Sequence, residues 1–88
     1  MRKNKNLNIY VFTSKYVIKS SSPIVYVSHK NDGDWQFLGE ETNLKAEDAM
    51  IVSLGEILKH DPSILLIMDL PFGKVAIRKN IEDNWQLI

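Results

Sequence analysis

The chain contains no cysteine, so neither a disulfide nor a thiolate metal site can compensate for its small size. The two histidines, His29 and His60, have no ligand-like spacing around them, so we expect no metal site and no cofactor. No apolar run approaches the length of a membrane span, and the basic N-terminus lacks an apolar signal-peptide core. These absences predict a soluble, cytoplasmic protein.

The sequence also lacks the residue patterns of an active site. Its four glycines are too scattered for a phosphate-binding loop, and the serine run at residues 20–22 has no nucleophile-elbow context. No nucleophile, base and orienting group can be assembled from the remaining side chains. We therefore expect no catalytic residue and no enzymatic activity.

The net charge is zero, but the charges are unevenly distributed along the chain. Residues 1–30 carry six Lys or Arg and no acid, whereas residues 31–69 carry nine acids against two lysines. Acids concentrated on one surface can steer a basic partner and raise its association rate. The alternative is a solvated loop region that keeps the protein soluble. The basic residues form no nucleic-acid-binding motif, so we expect no nucleic acid and no membrane as partners.

The length of 88 residues predicts one domain with one thin core. We expect a flexible N-terminus over residues 1–7 and a single α+β domain over residues 8–88, which opens with a short strand. One helical turn, capped by Thr13 or Ser14, is expected to follow this strand before Pro23.

Two segments of the sequence have the pattern of a hairpin. The first joins strands at residues 24–29 and 34–39 through an Asn-Asp-Gly turn. A three-residue loop with Gly33 in the left-handed conformation gathers the apolar side chains on one face, whereas a two-residue loop splits them. The face predicted for this hairpin consists of Val25, Val27, His29, Trp35 and Phe37.

The C-terminal segment repeats this plan, because Val75 precedes Trp85 by ten positions, as Val25 precedes Trp35. The repetition is either a distant internal duplication or two solutions to one packing problem, and we favour the second. A hairpin of the same parity as the first has one face that consists of Val75, Ile77, Trp85 and Leu87.

The segment between the hairpins is predicted to be helical. A capping box at residues 53–56 begins a helix, and the Asp-Pro pair at residues 61–62 ends it and begins a second short helix. Residues 49–52 fit either a short strand or an early helical turn. The apolar stripe of the first helix consists of Leu54, Ile57 and Leu58.

These elements predict an α+β fold: an antiparallel sheet built from two similar hairpins and an N-terminal strand, with one or two short helices packed on it. Trp35 and Trp85 are either core residues or, ringed by acids, interface anchors. The parity of the hairpins favours the core. The predicted structural core consists of Val25, Val27, Trp35, Phe37, Leu54, Ile57, Leu58, Val75, Ile77, Trp85 and Leu87.

Four motifs, in the order PIVYVSHKNDGDWQFL, DAMIVSLGEIL, DPSI and LPFG, resemble a small bacterial domain family, the immunity protein 33-like family. This family is grouped with the predicted immunity proteins of polymorphic toxin systems, and the resemblance spans roughly residues 9–87. It implies an α+β fold and the binding of a cognate toxin. The family motifs fall on Asp32, Gly33, Asp34 and Trp35, on Val52, Ser53, Leu54 and Glu56, on Asp61 and Pro62, and on Leu70, Pro71 and Gly73.

One position departs from the family pattern, in which a tryptophan often follows the Pro-x-Gly turn. Lys74 occupies that position here, and Trp85 comes later. We expect a non-enzymatic immunity or inhibitor protein that binds and neutralises a cognate bacterial toxin through an acidic surface. The alternative is a self-associating structural or adaptor domain, a homodimer that pairs through an exposed sheet edge. The predicted toxin contacts are Asp32, Asp34, Glu40, Glu41, Glu47 and Asp48.

Overall fold

A six-stranded sheet forms the centre of the protein in the computed structural model, which describes residues 7–88. Its strands are β1 (Tyr10–Ser14), β2 (Tyr26–His29), β3 (Trp35–Leu38), β4 (Ala49–Ser53), β5 (Lys74–Ile77) and β6 (Gln86–Leu87). They lie side by side in the order β4-β1-β3-β2-β5-β6. All neighbouring strands are antiparallel except β1 and β3, which are parallel. The predicted α+β fold is confirmed.

Short helices connect the strands. They are α1 (Lys15–Ser20), α2 (Leu54–His60) and two 3₁₀ helices, Ala46–Asp48 and Pro62–Ile67. A hydroxyl caps each α-helix: that of Ser14 accepts a hydrogen bond at the start of α1, and that of Ser53 at the start of α2. Residues 49–52, for which the sequence allowed either a strand or a helical turn, belong to the strand β4. This strand ends directly before α2.

The described chain begins in contact with the domain. The carbonyl oxygen of Leu7 accepts a hydrogen bond from the Gly55 N–H at 3.0 Å, beside the start of α2. The rest of the segment predicted to be flexible, residues 1–6, lies outside the described residues.

The first hairpin has the predicted three-residue loop. The Lys30 N–H donates to the Asp34 carbonyl at 2.8 Å, His29 lies opposite Trp35, and Gly33 has a φ of +96°. A residue with a Cβ is strained at that φ, so the turn requires glycine. Trp35 and its neighbours Val27 and Phe37 are buried, and Val25 is partly buried.

The face predicted for the second hairpin is wrong. Ala76 lies opposite Leu87 and Ile77 opposite Gln86, so the loop between β5 and β6 contains an even number of residues. The pairing of β5 with β2 decides this, because it places Ala76 opposite Val27 on the core face. Ala76 is therefore fully buried, whereas Val75 and Ile77 lie on the opposite face.

The predicted core residues near the C-terminus are correspondingly more exposed than expected. Val75 and Trp85 are partly buried, Ile77 is 36% exposed and Leu87 is 55% exposed. Leu87 does lie on the core side of the sheet, but β6 is the outermost strand. Trp85 packs against the edge of the core.

Three helices, α1, α2 and Pro62–Ile67, pack on one face of the sheet. The strand residues on that face, such as Val11, Val27 and Phe37, are fully buried and pack with Leu54 and Ile57 of α2. Leu58 is partly buried at the margin of this cluster. At one end of the opposite face, Asp48 of the Ala46–Asp48 helix lies beside Gln36 and Leu38. The side chains of that face form the surface considered next.

Candidate binding surface

The face of the sheet opposite the helices carries no charged side chain on any of its six strands. Directly opposed residues in neighbouring strands point to the same side of a sheet, so the strand registers define this face. We call it the open face. It consists of Tyr10, Phe12, Ser14, Tyr26, Ser28, Gln36, Leu38, Ala49, Ile51, Ser53, Val75, Ile77 and Gln86.

The most exposed part of the open face lies on β1 and β4. Tyr10 is 75% exposed, Ile51 61% and Phe12 37%, and Phe12 lies directly opposite Ile51. Contiguous exposed apolar side chains are typical of surfaces that bind another macromolecule, so this part of the open face is a candidate binding surface. Sequence reasoning missed this surface because it assigned no faces to the N-terminal strand and left residues 49–52 open between a strand and a helical turn. The available signal was the alternation of Tyr10 and Phe12 with Val11, which gives β1 two apolar faces.

The six acids predicted to contact a toxin do not form one patch. Asp32 and Asp34 lie at the β2–β3 turn, whereas Glu40, Glu41, Glu47 and Asp48 follow the other end of β3. Six residues of extended chain from Asp34 to Glu40 correspond to about 20 Å. Asp32, Asp34, Glu40 and Glu47 are exposed to solvent. These four acids therefore lie at opposite ends of the strands.

Two of the predicted contacts are held within the fold. Asp48 is only 6% exposed; its carboxylate accepts a hydrogen bond from the Lys45 N–H at 3.0 Å and lies 3.2 Å from the Lys15 ammonium. The Lys45 N–H and the Lys15 charge lower the pKa of Asp48 below its usual value. The half-buried Glu41 carboxylate accepts a hydrogen bond from the Ser22 hydroxyl. Both carboxylates are partly withdrawn from solvent and already paired within the fold, so they are weaker docking candidates than the four exposed acids.

We predict that Asp48→Asn flattens the dependence of stability on acid pH. The pKa of Asp48 is lower in the folded protein than in the unfolded chain, where it is about 3.9, so the unfolded state binds more protons between these values. The carboxylate therefore stabilises the fold above about pH 4, and this contribution is lost as the pH falls through the lowered pKa. Urea unfolding midpoints between about pH 2 and 6 measure the slope.

The Lys15→Ala variant is the control for this prediction. It removes the ion-pair partner and leaves the Lys45 N–H, the stronger cause of the lowered pKa, in place. It should flatten the profile less than Asp48→Asn does. Identical profiles for the wild type and Asp48→Asn would contradict the assignment.

The aromatic side chains around Trp35 pack against one another at one end of the sheet. The His29 ring stacks on the Trp35 indole at 3.8 Å and lies 4.5 Å from the Phe72 ring. His29 Nδ1 lies 2.7 Å from the Leu70 carbonyl oxygen, so this nitrogen carries the proton and donates it. The buried tryptophan thus holds the end of the sheet, as the core interpretation predicts for Trp35.

A buried ion pair that the sequence did not reveal connects the sheet to the helical segment. The Arg78 guanidinium donates to the Asp61 carboxylate at 2.6 Å and twice to the Ile24 carbonyl, at 3.0 and 2.8 Å. It also lies 4.2 Å from the Trp85 ring centroid, in cation–π contact. Asp61 also begins the Pro62–Ile67 helix, as the Asp-Pro pair predicts, by accepting a hydrogen bond from the Ser63 N–H.

No group of three or more His, Cys, Asp or Glu side chains within residues 7–88 could hold a metal ion. None of the helices in this range is long and apolar enough to cross a membrane. Comparisons of the chain with known protein families, with characterised proteins and with solved structures found no match.

Proposed function

We propose that this protein is a non-enzymatic inhibitor, of the immunity-protein type, that binds a cognate bacterial toxin and blocks it. The observation that supports the proposal best is the uncharged open face, with Tyr10, Phe12 and Ile51 exposed next to one another. Protein-binding surfaces characteristically lack charge at their centre and are enriched in aromatic side chains there. The family resemblance of the sequence points to the same class of function.

The exposed acids supply the rim of this proposed interface. Asp32 and Asp34 lie at one end of the strands, and Glu40 and Glu47 follow the other end. An apolar centre with a charged rim is the usual arrangement of a specific interface. Acids at both ends attract a basic toxin from a distance and raise its association rate, while the apolar centre slows dissociation.

The direct test is co-expression of this chain with the product of the adjacent gene, the candidate toxin, followed by purification and calorimetry. Tyr10→Ala should raise the dissociation constant of the complex about 10- to 100-fold, because a central aromatic anchor is lost. The matched control is Leu66→Ala, which removes a side chain of similar exposure, 78%, from the Pro62–Ile67 helix. This control should bind like the wild type. If wild-type protein and the adjacent gene product do not associate, the proposal fails.

The role of the rim is tested separately by kinetics. Reversing the charges of Asp32, Asp34 and Glu40 to lysine should slow association about tenfold or more at low salt and flatten its salt dependence. The dissociation rate should change less, because these acids lie outside the apolar centre. Unchanged association at low salt would show that the acids have no steering role.

A further inference from the structure

The strand β4 leaves one of its edges without a partner among the described residues. It pairs only with β1, at the end of the strand order. The Leu54 N–H donates to the Ile9 carbonyl, and along an antiparallel pair every second residue bonds to the same neighbour. The backbone N–H and carbonyl groups of Met50 and Val52 therefore point toward β1. Those of Ala49, Ile51 and Ser53 point away from it, toward the free edge. The Ala49 N–H is used within the chain, by the Ala46 carbonyl.

The free groups on this edge have two-fold symmetry about the middle residue of β4. Ile51 presents both its N–H and its carbonyl, Ser53 presents its N–H, and Ala49 presents its carbonyl. Ala49 and Ser53 are equally distant from Ile51 along the strand. A second β4 laid antiparallel, with Ile51 opposite Ile51, would match each donor with an acceptor and form four hydrogen bonds.

The side chains of β4 also lack the features that normally protect an edge. Free edges are usually guarded by charged residues, proline, a bulge or a very short strand. Residues 49–53 contain no charge and no proline, and the register with β1 is continuous over five pairs. The other edge strand, β6, has only two residues, which is itself a protection.

We propose that the occupant of this edge is a second copy of the same chain, joined through β4 to form one continuous sheet of twelve strands about a two-fold axis at Ile51. The two Ile51 side chains then lie side by side on the open face, next to Phe12 of each copy. No like charges on β4 oppose each other across the axis. This inference does not depend on the proposed toxin-binding function.

The area of contact makes the dimer weak and reversible. The five residues of β4 extend over about 17 Å, and this edge buries less than the roughly 800 Å² per partner of a standard interface. A contact below this size belongs to the weak, transient class of interfaces, so we expect the dimer to dissociate on dilution. Pairing through the backbone edge of β4 leaves Tyr10 and Phe12 on the open face uncovered. Asp32 and Asp34 lie at a turn away from this edge, so the dimer is compatible with binding of a basic partner.

Sedimentation velocity over about 5 to 500 µM tests the proposal, because the mass should rise from 10.1 kDa toward twice that value with concentration. Ile51→Lys should raise the dissociation constant about 100-fold or more, since it places two ammonium groups at the axis. The residue is exposed, so circular dichroism should show an unchanged fold. The control is Ile77→Lys, on the open face but on β5, which should dimerise like the wild type.

Hydrogen exchange reports the same contact directly. The amide protons of Ile51 and Ser53 should become protected as the concentration of the chain rises, and the protection should disappear in Ile51→Lys.

A monomer at every concentration overturns the proposal. Loss of the dimer in Ile77→Lys also overturns it and indicates association through the open faces instead. Protection of Ile51 only on addition of the adjacent gene product also overturns it and assigns the edge to that protein. Failure to bind this product, with the dimer intact, overturns only the toxin-binding proposal.

Discussion

Replacing Arg78 with alanine is expected to destabilise the protein by about 3–5 kcal/mol, a large part of the stability of an 88-residue domain. The guanidinium is almost fully buried and satisfies both the Asp61 carboxylate and the Ile24 carbonyl. Its removal leaves the Asp61 carboxylate without its cationic partner, with only the Ser63 donors remaining, and it takes both guanidinium donors from the Ile24 carbonyl. It also removes the cation that stacks on Trp85. Urea unfolding followed by tryptophan fluorescence measures the change.

The neighbouring residue provides a matched control for Arg78. Lys79→Ala removes an exposed cation one position further along the chain and should change the stability by less than about 0.5 kcal/mol. Arg78→Lys should recover only part of the loss, because an ammonium cannot reproduce the fork of hydrogen bonds to Ile24 and Asp61. Equal stabilities for Arg78→Ala and Lys79→Ala would show that the pair contributes nothing.

The second large effect is expected at the centre of the sheet. Phe37 is fully buried on the helix-covered face of β3, and its ring lies 5.8 Å from the Trp35 ring. Phe37→Ala should cost about 3–5 kcal/mol, because the lost transfer energy adds to that of the cavity that remains. The loss is measured by urea unfolding at neutral pH, with the denaturant slope checked for a two-state transition.

The adjacent strand supplies a phenylalanine on the opposite face for comparison. Phe12 on β1 is 37% exposed on the open face, so Phe12→Ala should cost about 1 kcal/mol or less. The contrast between the two variants tests the assignment of the two faces. Similar losses of stability for Phe37→Ala and Phe12→Ala would mean that the open face is buried in solution. Measurements below and above the concentration at which the chain self-associates would then show whether a second copy buries it.

The register of the first hairpin could be predicted because residues close together in the sequence determine it. Gly33 allows the left-handed turn, and the alternation of apolar side chains across Trp35 admits only one loop parity. The caps of α2 and of the Pro62–Ile67 helix were predictable for the same reason. A cap concerns residues two or three positions apart, so neither needs the rest of the fold.

The second hairpin could not be predicted by analogy with the first. Val75 and Ile77 match Val25 and Val27 in the sequence, yet the register of β5 is decided by its other neighbour, β2. The Gly73 N–H donates to the His29 carbonyl and thereby joins the start of β5 to the end of β2. Ala76 consequently faces the core, a position for which its small side chain gave no signal.

The acidic segment illustrates the same limit for the candidate site. Its acids are neighbours in sequence, but β3 lies between Asp34 and Glu40 and carries them to opposite ends of the sheet. Asp48 contacts Lys15 of α1 and the N–H of Lys45, the residue that precedes the Ala46–Asp48 helix, and these contacts hold it within the fold. Charge clustering along a chain is therefore a weak guide to charge clustering on a surface.

The sequence by itself determined the α+β class, the Asn-Asp-Gly hairpin, the helix caps and the burial of Trp35, because each depends on residues close together in the chain. Only the tertiary structure decided the strand order, the face of β5, the buried pair of Arg78 and Asp61, and the uncharged face beside the free edge of β4. These features depend on which strands become neighbours across the sheet. That choice is made by the packing of the whole core, and no local pattern records it.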